Sequence, residues 1–253
     1  PDNAELQLAA LMVNLPLRPG SESLGQRNLV EFRDQIQSLR DWSRRSNENM
    51  SALGQRVGYS QPYYIAYRDG NHRDTLSLYG NLMSEAVQAY RSPESGHVQP
   101  YDGKRKLKIA VVTAFLFRHS VWDIIVKGVV LNLDRSSFEL DLYHTGALMD
   151  DQTELARANC NRFVQGPKTH QAWYDEIKQE RYDVILYPEV GMDPFSMHLA
   201  CFRLAPLQIT SWGHPITSGL PELDWFLSGE LMESKAAAGH YTEHLIRLPG
   251  TGV

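Results

Sequence analysis

Two rhythms of apolar positions divide the chain. Over roughly the first ninety residues the spacing is mostly three and four. "SLGQRNLVEFRDQIQSLRDWSRR" puts Leu24, Leu29, Phe32, Ile36, Leu39 and Trp42 on one stripe. "RDTLSLYGNLMSEAVQAYR" does the same with Leu76, Tyr79, Leu82, Met83, Ala86 and Tyr90. That spacing predicts amphipathic helices. Arg73 or Asp74 opens the second helix, and Ser92-Pro93 stops it. No self-similarity at a period of about 34 residues accompanies them, so a helical repeat array is not supported. The stretch "SPESGHVQPYDGKRK", rich in Pro, Gly, Ser and charge, reads as a linker.

From Lys106 the rhythm changes. "LKIAVVTAF" is a short apolar run suited to a buried strand, and "VWDIIVKGVVLNL" a helix apolar nearly all round. Then come "SFELDLYHT" as a strand, "DDQTELARANC" as a helix with an Asp start, "RFVQ" as a strand and "THQAWYDEIKQER" as a Thr-capped helix. "YDVILYPEV", "LQITSW", "LDWFLSG" and "HLIRLPG" read as further strands, with "PFSMHLACFRL" a helix after the first of these. Strands alternating with helices predict an α/β unit whose parallel sheet is covered on both faces. The expected organisation is therefore a helical N-terminal region over 1–93 and an α/β lobe over 104–253.

Composition narrows the function classes. The 253 residues are 42% hydrophobic and 22% charged, ordinary for a globular chain. A formal net charge of -5 gives no basic field, which argues against nucleic acid as a partner. Cys160 and Cys201 have no ligand-type spacing, so neither structural zinc nor a disulfide framework is expected. No apolar run reaches the ~20 residues of a membrane span. The N-terminal stretch has no basic n-region, and the expected setting is cytoplasmic. Pro1 and the stop just past "HLIRLPG" suggest a piece of a longer chain.

In parallel sheets ligands sit at the carboxyl ends of the strands. That rule selects "TAFLFRHSV", "HTGALMDD", "YPEVGMDPFS" and "SWGHPITSG". In the first, His119 falls at a helix start, where the dipole disfavours imidazolium. A neutral ring is a candidate general base; a plain helix cap is the alternative. In the third, Asp193-Pro194 reads best as an N-cap followed by Pro. Glu189, after an apolar strand, is expected to face the cleft or solvent, with Met192 beside it. Gly191 supplies a backbone angle that other residues resist. In the fourth, Gly213 lets a backbone approach closely, Pro215 fixes the turn, and His214 takes a definite direction. Thr217 and Ser218 offer hydroxyls and amides to an anion or sugar. A tight strand-exit turn with a merely hydrogen-bonded histidine explains the same residues, and both readings stay open at this point.

The stretch "FRLAPLQITSWGHPITSGLPELDWFLSGELM" resembles a motif of the O-linked N-acetylglucosamine transferase family and its bacterial relatives, the cytoplasmic adhesin N-glucosyltransferases included. Arg203, Leu204, Ala205, Pro206, Gln208, Gly213, His214, Pro215, Thr217 and Asp224 match in order. "VTAFLFRHSV" resembles the family's first-strand loop, so His119 matches its active-site histidine. "QPYYIAYRDGNHRDTLSLYG" resembles a helical segment that precedes this lobe in bacterial members. One departure is Phe115, where members usually carry an acidic residue.

The resemblance implies the Rossmann-like first lobe of a GT-B glycosyltransferase. It implies inverting, metal-independent transfer of N-acetylglucosamine or glucose from a UDP-sugar to a polypeptide side chain, with no cofactor. It makes His119 catalytic, and Gly213, His214, Pro215 and Thr217 donor-binding. Glu189, Gly191, Met192 and Asp193 then line the cleft or the acceptor path. The second, nucleotide-binding lobe would be missing from this chain, leaving it inactive alone. A lobe kept only for binding, or a GT-B-like sugar-nucleotide epimerase, are the alternative functions.

Overall fold

The computed structural model describes residues 3–18, 20–91 and 103–252. The Ser92-Pro93 stop and residues 94–102 of the predicted linker lie outside them.

Four helices come first: α1 (Ala4–Val13), α2 (Glu22–Ser43), α3 (Asn47–Gly54) and α4 (Arg73–Tyr90). Three begin on a side-chain cap. Asn3 accepts from the Glu5 and Leu6 amides, Ser21 from Leu24, and Ser46 from Asn49. The predicted stripes face inward, with Phe32, Ile36, Leu39 and Trp42 buried on α2 and Leu76, Tyr79, Leu82, Met83 and Ala86 on α4. Leu24 and Tyr90 are 37% and 40% exposed, because each sits in a terminal turn of its helix. A 3₁₀ turn over Tyr63–Tyr67 bridges α3 and α4.

The α/β part runs β1 (Leu107–Thr113), α5 (Lys127–Asn132), β2 (Phe138–His144), α6 (Asp151–Ala158), β3 (Arg162–Gln165), α7 (His170–Glu180) and β4 (Val184–Tyr187). It continues through α8 (Pro194–Leu199), β5 (Leu207–Ser211), β6 (Trp225–Gly229) and β7 (His244–Leu248). Two predicted helices differ. The one over 121–133 opens as a π-helix, Val121–Val126, before becoming α5. The one over 194–204 stops at Leu199. There the Gln208 side chain takes over, accepting the Leu204 amide at 3.0 Å and donating to the Phe202 carbonyl at 2.9 Å. A side chain thus satisfies backbone groups that more helix would have paired.

All seven strands are parallel, in the order β3-β2-β1-β4-β5-β6-β7. This is a Rossmann-like sheet whose strand order reverses between β1 and β4. Alternation along β1 splits the core, as the period of two requires. Ala110 and Val112 join one apolar cluster and Val111 the other. The second cluster holds the π-helix, α5 and α6 against one face. The first holds α7 and α8 against the opposite face and runs on without a break into α1–α4. The helical region and the lobe therefore share one core. Polar ties reinforce it: Arg91 pairs with Asp175 at 2.5 Å, its guanidinium 3.7 Å from the Tyr174 ring centre.

Candidate active site

Because the strands are parallel, the loops after β1, β2, β4 and β5 open on one edge. The reversal between β1 and β4 places the crevice of such sheets at that point. His119 lies on the loop from β1, at the start of the π-helix, a kind of helix often found at functional sites. Its Nδ1 accepts the Val121 amide at 3.2 Å. Its ring stacks on Phe115, centroids 4.3 Å apart and planes 24° apart. Partial burial lowers its pKa below the ordinary histidine value, and the charge of Asp123 opposes the shift only in part. The ring is therefore neutral at pH 7. With Nδ1 accepting, the proton resides on Nε2.

The loop after β2 is tied to the loop after β1. Asp150 caps α6 by accepting the Gln152 and Thr153 amides, and it also accepts the Arg118 amide at 2.8 Å. Arg118 in turn meets Asp151 at 3.1 Å, an exposed pair of small energetic weight. Leu148 and Met149, 64% and 53% exposed, rim the same loop.

After β4, Asp193 is the N-cap the sequence favoured. Its Oδ2 accepts the Ser196 amide at 2.7 Å and the Thr145 hydroxyl at 3.1 Å. Glu189 does not face the cleft or solvent; it is fully buried, with Oε1 accepting the Ala114 amide at 3.3 Å. Burial, and next the charge of Asp193, raise its carboxyl well above the usual range. Gly191 has φ +108, the angle its loop needed, and a Cβ there would sit 2.7 Å from Nδ1 of His214. Met192 is half-buried against the same apolar cluster as Phe115 and Trp212.

After β5, the Gly213 amide donates to the Pro188 carbonyl at 3.1 Å. His214 is buried, its Nε2 donating to the Tyr63 carbonyl at 3.2 Å and its ring stacked 5.1 Å from Tyr63. Thr217 is buried too, and its hydroxyl donates to Glu243 Oε2 at 2.6 Å. Ser218 donates its amide to Glu243 Oε1 at 2.9 Å, and its hydroxyl bonds the same oxygen. Pro215 alone of this run is exposed.

The chain is 23% identical over 198 residues to a plant protein of Petunia hybrida described as a probable UDP-N-acetylglucosamine–peptide N-acetylglucosaminyltransferase, SPINDLY. The match covers 76% of this chain and 20% of that protein. The Solanum lycopersicum counterpart is 23% identical over 186 residues, covering 71% and 19%. A mutant O-GlcNAc transferase from Thermobaculum terrenum superposes with a TM-score of 0.56 at 16% identity, over 98% of this chain and 58% of that one. No protein-family model matches. In sequence and fold the chain is similar to the O-GlcNAc transferase-like glycosyltransferases. It spans about a fifth of the length of the curated relatives it matches.

Against the O-GlcNAc transferase-like motif, the structure brings His119, Phe115, Met192, Trp212 and Gly213 to one edge at the strand reversal. It does not leave His214 or Thr217 free for a donor. The void shared by Gly191, His214, Thr217 and Ser218 holds about 20 Å³, room for roughly one water. The two hydroxyls and the Ser218 amide that suited an anion are taken by the protein's own carboxyl group, Glu243. Sequence reasoning missed Glu243 because it precedes β7 with no motif around it. Tyr63 lay in plain view in "QPYYIAYRDG", but only the fold shows it against His214. No helix among the described residues is long and apolar enough to cross a membrane, and none of their His, Cys, Asp and Glu side chains gather in threes suited to a metal.

Proposed function

We propose that this chain forms the first lobe of a GT-B glycosyltransferase that moves N-acetylglucosamine or glucose from a UDP-sugar to a polypeptide side chain. The observation that carries the proposal is the placement of His119. The residue matching the family's active-site histidine projects from the β1 loop at the strand reversal, on the same edge as the loop after β5 that carries Gly213, His214 and Pro215. The proposed reaction is an inverting displacement without a metal ion, as the resemblance implies.

The Val121 amide bears on the role of His119. A general base needs a free lone pair towards the substrate, and here the lone pair at Nδ1 is engaged. Nε2–H is a donor, which favours orienting the substrate over removing its proton. The chain's other groups say where the diphosphate does not go. Helix N-termini attract anions, yet those of α6 and α8 are filled by Asp150 and Asp193, and the Thr217–Ser218 turn by Glu243. The cations that neutralise the leaving group then come from a second lobe, and this chain assayed by itself is expected not to turn over. Gly213 and Pro215 remain the donor-facing part of their motif. The helical region would position the polypeptide.

The burial of His214 and Thr217 also suits a lobe that binds without transferring. One experiment separates the two. The full-length protein is incubated with UDP-N-acetylglucosamine or UDP-glucose and cell polypeptides, and intact masses are read. A gain of one hexose or N-acetylhexosamine, abolished in His119→Ala, supports transfer. No gain with either donor sinks it.

A further inference from the structure

Glu189 sits beneath the strand reversal with no outlet to solvent. Its Oε1 accepts the Ala114 amide at 3.3 Å, and the Thr113 side chain lies beside the same carboxyl. The Thr113 hydroxyl accepts the Phe115 amide at 3.1 Å, which leaves its single proton available to the Glu189 carboxyl. Phe115 in turn carries the His119 ring. On the other side, the loop after β5 lies on the Pro188–Glu189 backbone. The Gly213 amide bonds Pro188, and the Cβ of Glu189 is 2.9 Å from where a Gly213 Cβ would stand. Oε2 of Glu189 has no hydrogen-bond partner.

We infer that Glu189 is a positioning residue that ties the loop after β1 to those after β4 and β5, and through Thr113 and Phe115 sets the His119 ring. A charged carboxylate with one oxygen unpartnered in this surround would be costly. Burial raises the group's pKa well above the usual range, and Asp193 at the start of α8 is the charged neighbour adding to it. The loops after β1 and β5 face it with Thr113, Ala114 and Gly213, which do not titrate. The acid form therefore does the tying.

The importance of this for activity rests on the proposed function, so the test reads His119 directly. The imidazole resonance of His119 is followed by NMR against pH in the full-length protein, assigned by its loss in His119→Asn. In the wild type the midpoint should lie below the ordinary 6.5, because burial disfavours the charged ring. Thr113→Val and Glu189→Ala should move it up towards 6.5, as the ring leaves Phe115 and gains water. Glu189→Gln keeps an acceptor oxygen and the shape of the neutral acid, and should leave the midpoint in place. An unmoved midpoint in folded Thr113→Val and Glu189→Ala overturns the inference. If Glu189→Ala does not fold, Thr113→Val decides alone, since it loses one hydroxyl. Absence of sugar transfer by the wild type would sink the functional proposal and leave this result standing.

Discussion

A methyl group added at Gly213 would lie 2.5 Å from the Pro188 carbonyl oxygen and 2.9 Å from the Glu189 Cβ. Both neighbours belong to the backbone or its root and cannot swing aside. Gly213 is thus required by one loop of the protein passing over another, and its φ lies outside the positive range. The cost of Gly213→Ala should be that of overpacking, about 1–3 kcal/mol. Urea denaturation measures it directly. A variant as stable as the wild type would mean that the loop after β5 yields freely, and would return Gly213 to a role in contact with the donor alone. His214 belongs to the same scale. Burial keeps it neutral, with its bond to the Tyr63 carbonyl opposing the shift, and its ring holds the 3₁₀ turn of the helical region to the loop.

At the scale of elements, caps decide where helices begin, and here three carboxylates end up in anion-binding positions. Asp193 shows the consequence. It caps α8 and takes the Thr145 hydroxyl, while burial raises its pKa. Asp193→Ala should cost about 1–2 kcal/mol through the lost cap. Asp193→Asn caps as well and removes a buried charge beside Glu189, so it should match or exceed wild-type stability. Thermal melting of both variants near neutral pH checks this. A loss in Asp193→Asn as large as in Asp193→Ala would show that the charge itself matters, against a purely capping role. The elements were mostly legible beforehand. The Thr169 cap and the Arg162–Gln165 strand stand where the pattern placed them. The π-helix did not show, because its widened turn keeps the same apolar face that an α-helix would need.

At the scale of the whole molecule, one seam joins the helical region to the lobe. His198 on α8 is buried, His170 stacks on it at 4.2 Å, and Tyr59 of the helical region meets the His170 ring edge-on at 5.4 Å. Burial lowers both, His198 to about 3, with the His170 charge next in effect on His198. Each is neutral in the folded protein and ordinarily titrates at 6.5. Their contribution is full above 6.5 and is lost as pH falls from there towards about 3. Glu189 works in the opposite sense: raised above its ordinary 4.5, it favours folding below that value and loses the benefit as pH rises through its raised pKa. The melting temperature should fall on acidification below 6.5, and His198→Gln should flatten that fall. An identical acid limb in His198→Gln would remove the histidine seam as the cause.

The sequence by itself determined most of the elements, their parallel arrangement and the edge that carries the candidate site. Apolar periodicity, caps and crossover spacing are local, and each is written within a dozen or so residues. The "RLAP…GHP" stretch carried the family resemblance as well, since it needs only order along the chain. What only the tertiary structure decided is which groups are already spoken for. Thr217 and Ser218 look free in one dimension, and Glu243 reaches them from 26 and 25 residues away. Glu189 looks like a cleft carboxylate until the loops after β1 and β5 close over it. His214 turns to Tyr63, 151 residues away. Burial and hydrogen-bond partnership depend on contacts between distant segments, and no local pattern records them.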